Sequence, residues 1–206
     1  KDFRIPDHRL VARATCARMV APSNHRVDIP IENGFVGMVN RHAFDEWLRT
    51  RASSAGAVRR TGTFERLARD DDGVSVVHFT ERAHEHKGEG RPAEVRAKLV
   101  IGADGARSEV ARQAIPGAHK GRFVFAYHEI IKTPEQLPAG YQASRCDVFY
   151  QGHLSPDFYA WVFPHGDSLS VGTGSADKGF SLRGSVERLR ASIGLAQAET
   201  LRREGA

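Results

Sequence analysis

The 206-residue sequence predicts a mixed α/β and α+β fold, with the change of texture near residue 115. Three observations carry this. The apolar run Leu99-Val-Ile-Gly-Ala-Asp-Gly-Ala-Arg-Ser108 enters a glycine turn and then a helix-like segment, the way a buried strand ends in an α/β sheet. Asn33-Gly34 and Asp72-Gly73 are turn pairs that tolerate positive φ and announce inserted hairpins. From Phe123 onward, apolar and polar residues alternate in short runs, as in an antiparallel sheet. Residues 1–115 therefore read as part of a nucleotide-binding domain, and residues 116–206 as an antiparallel β domain with a carboxyl-terminal helix.

Taken in order, residues 1–14 are Arg-rich and weakly patterned, which predicts a loop. Cys16–Pro22 and His25–Ile29 read as strands around the Pro22-Ser23-Asn24 turn, and Phe35–Val39 as a strand after Asn33-Gly34. Arg41–Ala55 is the clearest helix: Phe44, Trp47, Leu48 and Arg51 recur at i, i+3, i+4 and i+7, and Gly56 stands where it must stop. Ala57–Arg69 and Val74–Phe79 form a hairpin about Asp72-Gly73, and the polar stretch Glu81–Pro92 is a loop. Val95–Ala103 returns to the sheet, and Ser108–Ala114 is a short helix closed by Pro116-Gly117. Phe123–Tyr127, Asp147–Tyr150, Phe158–Phe163 and Ser168–Gly172 make the meander, and Leu182–Ile193 is an amphipathic helix.

Composition narrows the class. A hydrophobic share of 40% with 27% charged residues is that of a globular chain, and no apolar run reaches the ~18–20 residues of a membrane helix. The net charge of +5 comes from scattered Arg rather than a basic block, and no nucleic-acid-reading motif accompanies it. Cys16 and Cys146 lie far apart without a Cys-x-x-Cys pair, which fits two free thiols in a reducing, cytoplasmic compartment. His84-Glu85-His86 has no further ligand at metal-site spacing, so no metal is expected. None of the histidines stands in a recognisable hydrolase pattern.

Three segments carry candidate chemistry, each beside a plainer reading. Gly102 and Gly105 permit a sharp turn that presents Asp104 to a ligand; the same residues serve a strand followed by a helix cap. Arg41, opening a helix after a strand, can grip a phosphate or ring edge with two hydrogen bonds; otherwise it is an exposed arginine set against the helix dipole. Tyr159, Trp161 and Phe163 share one face of a strand by period two, and line either an apolar channel or ordinary core. Gly172-Thr-Gly174-Ser-Ala-Asp177 imitates a dinucleotide fingerprint, but Asp177 replaces the third glycine and the flanking pattern is antiparallel, so it reads as a strand end plus loop.

Together the strings Val39-Asn-Arg41-His-Ala-Phe44-Asp45, Gly102-Ala-Asp104-Gly105-Ala-Arg-Ser108 and Ser155-Pro156-Asp-Phe-Tyr159-Ala-Trp161-Val-Phe163-Pro164 resemble those of geranylgeranyl reductases. These are flavoproteins of the aromatic-hydroxylase-like FAD/NAD(P)-binding superfamily. Met19-Val-Ala-Pro-Ser23 and Val171-Gly-Thr-Gly174 are similar to the chlorophyll and bacteriochlorophyll branch. The resemblance implies FAD as cofactor, with Arg41, Gly102, Asp104 and Gly105 on its side, and NADPH as electron donor. It implies a prenylated pigment or prenyl diphosphate as substrate, met by Tyr150, Gly152, Pro156, Tyr159, Trp161, Phe163 and Pro164. Tyr159 and His153 are the candidate proton donors.

The resemblance also implies peripheral association with photosynthetic membranes, and leaves the oligomeric state open. Two family motifs have no counterpart: the amino-terminal G-x-G-x-x-G and a later Gly-Asp-Ala strand end. The sequence is accordingly read as an internal segment that holds FAD poorly unaided, with the glycine fingerprint expected roughly 60–100 positions upstream of Lys1, from the length of a βαβ unit and its connections. Two rival readings remain. One is a flavin monooxygenase or halogenase of the same superfamily; the other is a non-catalytic prenyl-lipid-binding module.

Overall fold

A computed structural model describes residues 5–82 and 90–205. It contains two compact units, Lys1–Trp47 with Val124–Ala206, and Leu48–Phe123.

The larger unit is built on a seven-stranded sheet. Its strands are β2 (Cys16–Val20), β3 (Arg26–Pro30), β8 (Phe125–Lys132), β9 (Arg145–Phe149), β10 (Ala160–His165), β11 (Ser168–Ser175) and β12 (Thr200–Gly205), in the spatial order β12-β8-β11-β10-β9-β2-β3. All neighbours are antiparallel except β2 and β9, which run parallel. The sheet thus takes strands from both sides of residue 115. The 16–30 segment forms the hairpin that its Pro-Ser-Asn turn predicts, with Asn24 at φ 66°.

Alternation along the strands separates two faces. Ile131, Val162, Leu169 and Val171 point to one side, where helix α3 (Leu182–Ser192) contributes Val186 and Leu189 to the buried cluster. Leu154, 1% exposed, and Leu195 close its ends. Ser181 caps α3 by accepting from the Gly184 N–H at 3.2 Å.

One ion pair lies inside this core. Arg190 of α3 donates to Glu129 of β8, to Thr200 Oγ1 at 2.8 Å, to the Leu195 carbonyl at 3.2 Å and to the Ala198 carbonyl. Tyr127 and Arg203 donate to the other Glu129 oxygen at 2.8 and 3.2 Å. Burial pushes the Glu129 carboxyl up, but the bonds from Tyr127 and Arg190, the charge of Arg190 and the Arg203 bond together hold it below the usual range.

Several segments depart from the sequence expectation. The stretch read as an opening loop contains β1 (Leu10–Ala14), paired antiparallel with β4 (Val36–Val39). Asn33 does take φ 54°, but the turn joins strands of two different sheets and makes no hairpin. Strand β12, whose run Thr-Leu-Arg-Arg-Glu-Gly lacks apolar alternation, is stabilised by the ladder to β8. Helix α1 (Arg41–Ser54) forms as read, capped by Asn40 Oδ1, which accepts from the His42 N–H at 3.1 Å, and ended by Gly56 at φ 98°.

The smaller unit has a three-stranded antiparallel sheet, β5 (Gly62–Arg69), β6 (Ser75–Glu81) and β7 (Arg91–Ala97). Helix α2 (Glu109–Ala114) lies on β5, where Gln113 accepts from the Leu67 N–H at 2.8 Å and donates to the Glu65 carbonyl at 3.1 Å. Strand β7 ends before the apolar run that was expected to be a buried strand. A strand needs a neighbour for its N–H and C=O groups. Among the described residues none pairs with 99–101, and Leu99 and Ile101 are 76% and 80% exposed. The His84-Glu85-His86 segment lies outside the described residues. Among those described, no cluster suits a metal ion and no helix is long and apolar enough to cross a membrane.

Replacing Arg190 alone strands a buried carboxylate, so Arg190→Leu is expected to cost the larger unit about 3–5 kcal/mol in urea unfolding, whereas the double change E129L/R190L recovers most of that loss. Because the folded Glu129 carboxyl is depressed, its contribution is present above the ordinary carboxylate value of about 4 and disappears as pH falls through the folded value. Cys146, pushed up to about 11 chiefly by burial, is roughly one part in a thousand thiolate at pH 8 and should react with iodoacetamide far more slowly than a free peptide thiol.

Candidate functional site

The second face of the large sheet carries the aromatic string. In β10, Ala160, Val162 and Pro164 are buried on the core side, while Trp161 and Phe163 stand half-buried on the other side. The rings form a continuous ladder. Phe158 stacks on Tyr159 at 4.1 Å, Tyr159 meets Tyr150 at 6.0 Å and Trp161 at 5.9 Å, and Trp161 meets Phe163 at 6.1 Å. The core-packing reading of these rings therefore fails: the hydrophobic cluster lies across the sheet from them.

Glycines make the seat. Gly172 is opposite Trp161 in the β10–β11 register. A Cβ there would fall 2.3 Å from Trp161 Cζ2 and 2.5 Å from His128 Cβ, so only a bare backbone lets the indole lie across β11. At Gly174 a Cβ would meet Phe158 at 2.9 Å. The Trp161 Nε1–H donates to Ser170 Oγ at 3.1 Å. Gly172 and Gly174, read from the sequence as a strand end plus loop, lie instead within β11 beneath the rings, and their period-two spacing with Ser170 is the signal of that face.

The loop before β10 is pinned by its own polar residues. Ser155 donates to the Gly174 carbonyl at 2.7 Å and accepts from the Phe158 N–H at 2.8 Å. Asp157 accepts from Ser175 Oγ at 2.6 Å and the Ala176 N–H at 2.9 Å. In Ser-Pro-Asp-Phe-Tyr, then, Ser155 and Asp157 hold the loop while Phe158 and Tyr159 present their rings. Tyr150 is exposed beside Tyr159, and Gly152, His153 and Pro156 are exposed in the same loop. The His153 carbonyl accepts from Arg188 at 3.1 Å, and the Tyr150 N–H donates to the Val20 carbonyl at 2.9 Å. Pro164 is buried on the opposite face from the ladder, so its side chain cannot join it.

The glycine turn lies in the smaller unit. Gly102 is required by close packing, since a Cβ would sit 2.9 Å from Val110 Cβ. Asp104 accepts from the Ser108 hydroxyl at 2.5 Å and from the Val110 N–H at 3.2 Å, and Ser108 in turn caps α2 at the Ala111 N–H, 2.9 Å away. The Ser108 bond is the main cause that holds the Asp104 carboxyl below its usual range. Gly105 takes φ 86°, and nothing lies within 4 Å of where its Cβ would be. Arg41 opens α1 as read, but Asp45 takes its guanidinium fork, at 3.0 and 3.1 Å, in an exposed i, i+4 pair.

Residues 8–138 match the family described as FAD binding domain. This chain belongs to that family of FAD-binding domains. The chain is 53% identical over its whole length to the geranylgeranyl diphosphate reductase of Rhodobacter capsulatus, of which it covers 50%. The chloroplastic geranylgeranyl diphosphate reductase of Arabidopsis thaliana is 34% identical over 84% of the chain, which covers 38% of that relative. The fold matches the crystal structure of a geranylgeranyl bacteriochlorophyll reductase-like protein from Thermoplasma acidophilum with a TM-score of 0.82 at 24% identity, over 100% of this chain and 52% of that one. The chain spans about half the length, or less, of the relatives it matches, and it is homologous to the geranylgeranyl reductases, as its motifs implied.

The residues of the turn fit a flavin nucleotide. A fixed, ionised acceptor at Asp104 stands beside an unobstructed backbone at Gly105, which suits a ligand rich in hydroxyls.

Filling the seat under Trp161 should be costly and specific. Gly172→Ala is expected to destabilise the larger unit by about 1–3 kcal/mol and to alter the near-ultraviolet circular dichroism of tryptophan. Gly152→Ala, at a position with nothing within 4 Å, should leave both unchanged.

Proposed function

We propose that the protein carrying this chain is a flavin-dependent reductase of prenyl chains, reducing the isolated double bonds of a geranylgeranyl group to the phytyl level. The observation that supports it best is the aromatic ladder, an apolar wall on the sheet face away from the core, in a chain homologous to geranylgeranyl diphosphate reductases. A wall of this kind suits an unfunctionalised hydrocarbon chain, which offers no hydrogen bonds and is held by shape and apolar contact.

Reduced FAD, drawing its electrons from NADPH, supplies hydride equivalents that the protein's own side chains cannot. Gly105 would leave the backbone open to that cofactor, and Asp104 would accept from its hydroxyl groups. Arg41 contributes only by giving up its pairing with Asp45. An isolated trisubstituted alkene accepts a hydride only as its other carbon gains a proton, and positive charge develops at the more substituted carbon. The π faces of Tyr159 and Trp161 stabilise such charge by about 0.5–2 kcal/mol each. Tyr159, on the ladder itself, is the better placed of the two proton-donor candidates; His153 lies in the exposed loop. Tyr150 and Phe158 extend the wall for the remaining isoprene units. The substrate is the geranylgeranyl group, either as the diphosphate or esterified to a pigment, and the enzyme works in the cytoplasm at the surface of a photosynthetic membrane.

The full-length protein, supplied with FAD, NADPH and a geranylgeranyl substrate without oxygen, is expected to yield products two, four and six mass units heavier. Trp161→Ala should lower kcat/KM by roughly tenfold, the size of one lost cation–π contact. Oxygen-dependent hydroxylation or halogenation in place of these products would replace the proposal with the monooxygenase reading. A colourless protein that binds prenyl lipid without flavin would replace it with the binding-module reading.

A further inference from the structure

A polar cluster sits beside the middle of the aromatic ladder, on the same sheet face. His128 of β8 lies opposite Gly172 of β11 on one side and Glu204 of β12 on the other. Its Nδ1 is 3.0 Å from Ser170 Oγ, and its Nε2 is 2.7 Å from Glu204 Oε2. Ser170, 5% exposed, is the residue that accepts the Trp161 Nε1–H, and the His128 and Trp161 rings are 6.2 Å apart. The charged groups that reach His128 are Glu204 and, bound to Glu204 Oε1 at 2.7 Å, Arg202.

The Ser170–His128–Glu204 spacing is that of a nucleophile, base and orienting carboxylate. A nucleophilic serine also needs spare N–H groups for an oxyanion. Strand β11 is paired on both sides, with β10 and β8, which commits its backbone to the ladder. Ser170 further lies beneath the indole. The cluster is thus built to hold a side chain and not to attack a substrate.

The hydrogen-bond senses follow from the partners. Glu204 accepts, so His128 Nε2 carries a proton. In the neutral ring Nδ1 is then an acceptor, the Ser170 O–H donates to it, and Ser170 Oγ accepts from Trp161. Every group is satisfied in one continuous chain. Ser170 Oγ, the atom on which the indole rests, is therefore held by His128.

We propose that His128 is a positioning residue for Trp161, acting through Ser170, and that it sets the ladder for the prenyl chain. This rests on the reading of the ladder as the prenyl-binding wall. The site's chemistry is carried by the ladder; His128 decides where its central ring stands.

The test uses the full-length flavin-loaded protein labelled with ¹⁵N at the indole, the Trp161 Nε1–H resonance being assigned by its absence in Trp161→Phe. In His128→Asn, whose amide oxygen can take the place of Nδ1 as acceptor for Ser170, the resonance should stay near the wild-type position. In His128→Leu and in Ser170→Ala it should be displaced. The kcat/KM for geranylgeranyl diphosphate should fall roughly 3–10-fold in His128→Leu, the worth of one hydrogen bond, with recovery in His128→Asn.

An unmoved resonance in His128→Leu, or one displaced as far in His128→Asn, overturns the proposal. So does a displaced resonance with unchanged kcat/KM. Failure of the prenyl-wall reading itself is seen separately, as a wild-type Trp161 resonance that does not respond to saturating geranylgeranyl diphosphate.

Discussion

The buried contact between Glu129 and Arg190 is the interaction around which the larger unit is arranged. One guanidinium joins the middle of β8, the carboxyl end of α3, the turn through Leu195 and Ala198, and the start of β12. A charge pair in a core is costly to desolvate, and such pairs are poor sources of stability in themselves. What this one supplies is specificity, because only one placement of α3 on the sheet satisfies all of its donors. With α3 held there, one face of the sheet is closed by Val186 and Leu189 and the other is left to the aromatic ladder.

That division runs through each strand by period two. In β10 the small and branched residues Ala160 and Val162 go to the core, and the large rings go outward. In β11 the parity is matched: Leu169, Val171 and Thr173 are buried inward, and Ser170, Gly172 and Gly174 lie beneath the rings. At Gly172 and Gly174 bare backbone lets Trp161 and Phe158 approach β11 closely, and the rings remain partly exposed. An apolar wall results without a hydrophobic collapse that would consume it, which is the condition for binding a hydrocarbon chain.

The smaller unit answers a different need. Its Gly-Ala-Asp-Gly turn is stabilised locally by Ser108, Val110 and the cap of α2, so Asp104 is fixed without any ligand. Of the plainer reading, a buried strand followed by a helix cap, the cap is present and, among the described residues, the strand is not. It does not exclude the functional one, since the same bonds keep the carboxylate ionised and immobile beside the open backbone of Gly105. Arg41 shows the opposite outcome, with its fork already occupied by Asp45.

Local signals made much of this legible. Helix α1 with its Asn40 cap and Gly56 stop, the hairpin about Asp72-Gly73, the short helix after Ser108 and the one-sidedness of Tyr159, Trp161 and Phe163 all follow from spacing and turn chemistry within a few residues. Family strings in the sequence also led to the flavin-dependent prenyl reductases. Three things did not follow. Leu99–Ile101 has the composition of a buried strand but no strand beside it here, and hydrogen bonding to a neighbour cannot be read from one segment. Strand β12 has no alternation of its own and exists through its ladder to β8. The alignment of His128, Ser170, Trp161 and Glu204 joins residues up to 76 positions apart, which only the register of four strands can bring together. Sequence alone determined which residues would share a face; the tertiary structure decided which face met the core, because that depends on where α3 is bound.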